Sequence, residues 1–569
     1  MPEHTHNNFP EEKNEINRES IRKISKIIKN NFHPNFYKIL YFLIFEYIFI
    51  LLPEIIVLND YYIEILSNSD EDIQILIDKY GSELFSDISI TPTISTTNTL
   101  SSDFFERNDN YESNDNKIKL IFRQPLTNFS YMFNNLTNII SVHMHYIIGN
   151  NSDMSYMFNN CTNLVNFSYE GDYEQNIEFF NLSGMFYNCI SLTSFSFKNF
   201  TYLERDYEEI KNTDLSDYFS DYSEDPIIIK HHERIKKDFI GNNVINMSYI
   251  FYNCQKLKSI DLDFIPNQHA NDMRYMFYNC TSLTSINLEN FKTKNDFYIN
   301  ISYMFYNCIK LTLIKFPSTQ NSLGINEMKN LFYNCKSLNE INLNSFKPNQ
   351  TFFDVSNLFY NCYNLTIIIW DLNNYKISKV SNMFYNCASL SYFNFNPKKI
   401  IQEINMTKLF YNCFNISNIS FSTSSSLKII PNDISYMFYN CQNLTVLNLN
   451  DFDTVKVQYM SFLFYNCIHL EYLYFKDSNF SNDLITDMRG VFKNCESLTD
   501  LNLTNFFTPN VEIMWDMFNG CKSLQNLNLS NFDTSKVTDM QSMFEGCSSL
   551  QTLNLNHFNT TNVQYMNQM

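Results

Sequence analysis

Glycine is scarce in this 569-residue chain, nine in all, and tryptophan scarcer still at two. So few glycines leave little material for loops that cradle phosphate, and no Walker or dinucleotide-binding pattern occurs. Positive charge is also in deficit: 41 Lys and Arg stand against 60 Asp and Glu, a formal net charge of -19. That balance argues against a nucleic-acid partner, which needs a basic surface to release counterions from phosphates. Acidity of this size serves mainly to keep an extended surface soluble. Cys-x-x-Cys pairs of the zinc-binding kind are absent, and adjacent His231 and His232 are not spaced as ligands on one helix face. There is no nucleophile elbow, zincin helix or convincing carboxylate pair, so the chain reads as non-enzymatic, with no cofactor.

What is present is repetition. The fourteen cysteines fall at spacings of 25 to 28, apart from one gap of 65 between Cys189 and Cys254. Leu136 occupies the same slot in a unit that precedes them. The pattern gives about fifteen stacked units of roughly 26 residues. In the unit 531–555, NFDTSKVTDMQSMFEGCSSLQTLNL, the residues Val537, Met540, Met543, Phe544 and Cys547 follow the stripe of a short amphipathic helix. Thr538 and Gln541 have the spacing of a capping box for it. Leu550, Leu553 and Leu555 then switch to strand spacing. Only Asn or Gly stands immediately before each cysteine, as at Asn253, Asn279 and Gly546. These two share tolerance of a left-handed backbone, which predicts a helix C′ position. One unit cannot bury its apolar positions alone, so neighbouring units must cover each other. The cysteine slot reads as a column of free buried thiols, since stacked side chains point in parallel and Leu136 fits the same place.

These units resemble the repeats of BspA-like leucine-rich-repeat surface proteins of bacteria and of anaerobic or parasitic microbial eukaryotes. The match is carried by 531–555, by NMSYIFYNCQKLKSIDL (246–262) and by DMRYMFYNCTSLTSINLENF (272–291). The resemblance covers 129–569 and implies an α/β leucine-rich-repeat-like solenoid, with one short strand and one short helix per unit. It also implies a cell-surface adhesin that binds host or matrix proteins. It carries no binding residue over, because the shared motif is the core. Phe316-Pro317 marks one of the units that depart most from the pattern.

The domain reading is an N-terminal helical region over 1–88, a flexible linker over 89–120, and the solenoid over 121–569 with a charged insertion at 202–241. Residues 36–58, FYKILYFLIFEYIFILLPEIIVL, are long enough for a single membrane span, with basic residues ahead and acidic residues behind. That arrangement predicts a signal anchor with the repeats outside. Against it stand Glu46 near the middle and Pro53 near the end, which a buried helix of a soluble cap accommodates equally. Asn-x-Ser/Thr sequons, as at Asn128, Asn181, Asn246, Asn300, Asn364 and Asn443, suit a secreted surface, but so Asn-rich a chain produces them by chance. The final letters, NVQYMNQM, align with KVTDMQSM one unit earlier, so a longer protein is expected.

The strand residues between the buried leucines face outwards and are mostly polar. Six break that rule: Ile367, Ile369, Tyr392, Val446, Tyr472 and Tyr474. Together they are the candidate partner-binding patch for protein ligands of host, matrix or cell-surface origin. The functional expectation is a surface recognition or adhesion protein. The alternative is an intracellular, cytoplasmic interaction scaffold with a helical N-terminal cap.

Overall fold

The computed structural model describes residues 61–67, 106–107, 116–122, 126–145, 148–170, 179–198, 245–260, 262, 270–289, 298–318, 323–349, 352–400, 403–421, 428–475, 483–503 and 506–569. The chain divides into two units, 1–60 and 61–569, and only the second is described. The expected anchor at 36–58 and the charged insertion at 202–241 lie outside the described residues.

The second unit is a solenoid of parallel coils. Consecutive repeats pair strand to strand in register, for example Ser285 with Leu313, Ile286 with Ile314 and Asn287 with Lys315. A second, eight-stranded parallel sheet runs from Leu126–Asn128 to Phe346–Pro348 on the other side of the turn motif. Coils on either side of the long cysteine gap stack directly. Asn246 pairs with Asn181, and the Phe186 amide donates to the Ile250 carbonyl at 2.8 Å. The insertion therefore leaves the stack uninterrupted.

The predicted short helix of each unit is not there. Among the described residues the only helical turn is a 3-10 turn at Leu372–Asn374. In place of a helix the chain makes tandem turns, and the coil around Cys280 shows how. The amides of Met276, Tyr278 and Cys280 close turns onto Met273, Tyr275 and Phe277 of their own coil. Those of Met273, Tyr275, Phe277 and Asn279 instead donate to Asn300, Ser302, Met304 and Tyr306 of the next coil, at 2.7–3.2 Å. An α-helix would spend every such amide internally. Here alternate amides stitch the coils together, and the chain can alternate only because Tyr275 and Asn279 take left-handed φ values of 58° and 59°.

A left-handed residue other than glycine costs about 1–2 kcal/mol. The inter-coil hydrogen bonds repeated on every rung offset that cost. The expectation that Asn and Gly before cysteine adopt this conformation holds, with Asn253 at 61° and Gly546 at 76°, but the position closes a turn and not a helix. The capping box is corrected too. Asp539 Oδ1 accepts the Gln541 amide at 3.0 Å, while Thr538 Oγ1 donates to the Glu512 carbonyl of the preceding coil. The apolar stripe Met273, Met276, Phe277, Cys280 and Leu283 is buried as its spacing predicts, because tandem turns and a helix put the same positions on one side.

An N-terminal helical region is likewise unsupported where it can be seen. β1 (Tyr61–Ser67) is a strand, as are β2 (Glu106–Arg107), within the stretch read as linker, and β3 (Asn116–Phe122), which begins in that stretch and runs past its end. The first coil contributes β4 (Leu126–Asn128) and β5 (Ile139–His145). β1 pairs antiparallel with both β3 and β5, so it covers the edge of the first coil. Ile63 and Ile65 of β1 are buried in the same core as Val142 and Met144 of β5. A strand cap suits this place, because a β5 edge needs backbone partners that no helix can supply.

The candidate interaction surface

Three side-chain columns line the turns. Innermost is phenylalanine, stacked coil upon coil from Phe133 to Phe544 with ring centroids 5.1–5.9 Å apart. Beside it runs the thiol column. Each cysteine is free, and its Sγ donates to the carbonyl of the Phe one coil earlier, as Cys161 does to Phe133 at 2.9 Å and Cys335 to Phe305 at 3.1 Å. This arrangement accounts for Leu136: the first coil has no earlier phenylalanine carbonyl for a thiol to reach. Burial pushes these thiols up, well above the ordinary range for Cys335 and to about 11 for the half-buried Cys547, so they stay protonated. The third column is asparagine, whose amides hand hydrogen bonds from coil to coil. Asn160 donates to Asn135, Asn188 to Asn160, and Asn386 to Asn361, at 2.8–2.9 Å.

On the strand side the six predicted patch residues all prove exposed. They do not form one surface. Val446 pairs directly with Tyr472, with Tyr474 two residues along the same strand. Ile367 and Ile369 share one strand beside Glu340 and Asn342. Tyr392 stands beside Asn418, and the polar coil carrying Asn418 and Ser420 separates it from Val446. The geometry therefore yields two lobes divided by a polar rung.

The polar members of the outward column have a task that the sequence reading missed. Asn287, Asn342, Asn448, Asn528 and Asn554 each accept, through Oδ1, the amide two residues on, at 2.9–3.1 Å, and so turn the corner after the strand. Ile369 and Tyr474 occupy that position in their own coils and cannot make this bond. At the first of them, the Asp371 amide is taken up by Asn344 of the neighbouring coil at 2.8 Å. The two side chains remain 47% and 50% exposed.

A second feature also escaped the sequence reading. Tyrosine stands before Asn-Cys in ten coils: 187, 252, 278, 306, 333, 360, 385, 411, 439 and 465. Their rings form one continuous face-to-face stack with centroids 4.3–4.7 Å apart and planes within 8°. The recurring Tyr-Asn-Cys triplet was the available signal. All ten are half-buried, with one edge of the row open to solvent. Burial first, and the neighbouring phenols after it, raise the pKa of Tyr306, Tyr360 and Tyr439, and that of Tyr252 to about 12.

Among the described residues no group of three or more His, Cys, Asp or Glu is placed to hold a metal ion. His231 and His232 lie outside them. No helix among the described residues is long and apolar enough to cross a membrane.

Comparison with known proteins agrees with the coils. The profile of the BspA-type leucine-rich repeat region matches in overlapping segments, 240–348, 298–433 and 355–488. A profile described as a Mycoplasma protein of unknown function matches 486–569. No curated protein matches the sequence. Solved structures similar to this chain include a leucine-rich-repeat protein from Eubacterium ventriosum, at 12% identity and TM-score 0.32, covering 68% of this chain and 84% of that one. Another is a Leptospira interrogans leucine-rich-repeat protein, at 14% identity and TM-score 0.21, covering 73% and 91%. A TLR13–ssRNA13 complex matches at 14% identity and TM-score 0.23 over 72% of this chain, which spans about half of the TLR13 chain, 49%. Superpositions this loose carry no argument of their own. The repeat profile and the stacked coils it falls on identify residues 240–488 as BspA-type leucine-rich repeats.

Proposed function

We propose that the chain is a non-enzymatic recognition and adhesion protein, which presents its strand face to protein ligands of host, matrix or cell-surface origin. Solenoid repeats of this kind generally serve protein interaction, because stacking yields a long continuous face and no deep pocket. The observation that carries the reading is the replacement of a corner-forming Asn by Ile369 and Tyr474. Two coils forgo a local hydrogen bond and place apolar side chains half in water, an arrangement that folding alone does not favour. Tyrosine is also among the residues enriched at binding hot spots.

Changing Tyr472 and Tyr474 together to Ser is expected to abolish binding of the intact chain to immobilised host-cell or matrix proteins, with no fall in its thermal unfolding midpoint. Binding that survives the double substitution overturns the assignment of this lobe. Location is tested separately by protease treatment of intact cells, which removes the repeats if they lie outside. Repeats left whole would point instead to an intracellular scaffold using the same face.

A further inference from the structure

The tyrosine row is not required by the turn that carries it. At the same position other coils hold Asn134, Asn159, Lys493, Asn519 and Glu545, and their backbones close the same turns. Polar pairs serve there: Asn159 Nδ2 donates to Asn134 Oδ1 at 2.8 Å, and Asn519 Nδ2 to Glu545 Oε2 at 3.0 Å. Ten phenols in unbroken contact, with an open edge, therefore constitute a feature added to the fold.

We propose that this row is a site of oxidative modification, in which dityrosine bonds form between neighbouring coils of one chain. The oxidant is hydrogen peroxide acting through a haem peroxidase. Each of two phenols gives up one electron and its hydroxyl proton, and the peroxide takes up two electrons and two protons to leave two molecules of water. The two tyrosyl radicals join through ring carbons ortho to oxygen. The hydrogens on those carbons then move to the phenol oxygens and restore both aromatic rings.

The geometry favours the oxidation and the meeting of the radicals. The row is half-buried, and its open edge gives the oxidant access. Burial raises Tyr252, Tyr306 and Tyr360 above the ordinary phenol range, so there electron and proton leave together. Face-to-face rings at 4.3–4.7 Å hold the partner radicals at contact, which replaces a diffusive encounter with one inside the molecule. The row ends where the coil before Tyr187 carries Asn159 and the coil after Tyr465 carries Lys493, and a shorter stack, Tyr249, Tyr275 and Tyr303 at 4.6–4.7 Å, lies beside it.

The test exposes dilute, full-length protein to a haem peroxidase and hydrogen peroxide, then reads dityrosine fluorescence, molecular size and linked peptides by mass spectrometry. Peptides joining Tyr306 to Tyr333 and Tyr333 to Tyr360 within a monomer are expected. Tyr333→Phe keeps the ring and the fold, and is expected to lose both of those links while the link between Tyr385 and Tyr411 persists. The proposal is overturned if the links join separate chains, if they fall only among the exposed Tyr459, Tyr472, Tyr474 and Tyr565, or if urea-unfolded protein gives the same linked pairs in equal yield.

Discussion

Two columns of aromatic rings run through the coils side by side, and they differ in what they tolerate. The phenylalanine column continues in every coil from Phe133 to Phe544. The tyrosine column fills only ten, and polar residues take its place at either end. The inner position is sealed by the coils above and below and has no polar alternative, since an unpaired polar group there would cost a few kcal/mol. The outer position has solvent on one edge, so Asn, Lys and Glu serve as well as Tyr. The inner column makes the solenoid, whereas the outer one is free to acquire a chemistry.

Substitutions test this contrast in order of size. Phe332→Ala removes a ring stacked between Phe305 and Phe359, and a buried aromatic truncated to Ala is expected to cost about 3–5 kcal/mol in denaturant unfolding. A loss under about 1 kcal/mol would mean that the column is not the core. Gly490→Ala comes next. Its new Cβ would lie 2.5 Å from the Phe462 ring, at a φ of 56°, and overpacking of this kind costs about 1–3 kcal/mol.

Tyr333→Ala loses two exposed-edge stacks, each worth about 0.5–1.5 kcal/mol, and Tyr333→Phe should restore nearly all of the loss. A Tyr333→Ala protein as damaged as Phe332→Ala would erase the distinction between the columns. Smallest is an effect of acid. The backbone amide and hydroxyl of Ser535 hold the Asp533 carboxyl below its usual range. Its contribution is therefore present above the unfolded carboxylate pKa and is lost as pH falls through the lower folded value. Asp533→Asn should flatten that part of the stability profile, as measured by unfolding at neutral and strongly acid pH.

Much of the coil was legible beforehand. The spacing of cysteines 25 to 28 apart set the repeat, and the stripe from Met273 to Leu283 identified the buried positions. Asn and Gly before cysteine disclosed the left-handed backbone. The stripe also predicts a helix, and there the chain makes tandem turns instead. Residues at i, i+3, i+4 and i+7 face one way both in a helix and in tandem turns, and only the destination of the amides separates the two. The left-handed Tyr275, Tyr303 and Tyr436 gave no warning, because tyrosine carries no preference for that conformation. The strand cap escaped for a related reason: Tyr61–Ser67 is short, and its partner β5 lies about seventy to eighty residues away, beyond any local pattern.

The candidate patch was half legible. Outward positions follow from strand alternation, so the exposure of Ile367, Ile369, Tyr392, Val446, Tyr472 and Tyr474 came from period two alone. That a polar rung at Asn418 divides them into two lobes depends on which strands lie side by side.

By itself the sequence determined the repeat, the buried positions and the residues able to turn left-handed, because each is written in local spacing and in the intrinsic preferences of side chains. Tertiary structure decided where the amides go, which rings stack and which exposed residues meet. Those outcomes depend on a neighbouring coil some 26 residues away, and a hydrogen bond or a ring contact exists only once that coil is in place.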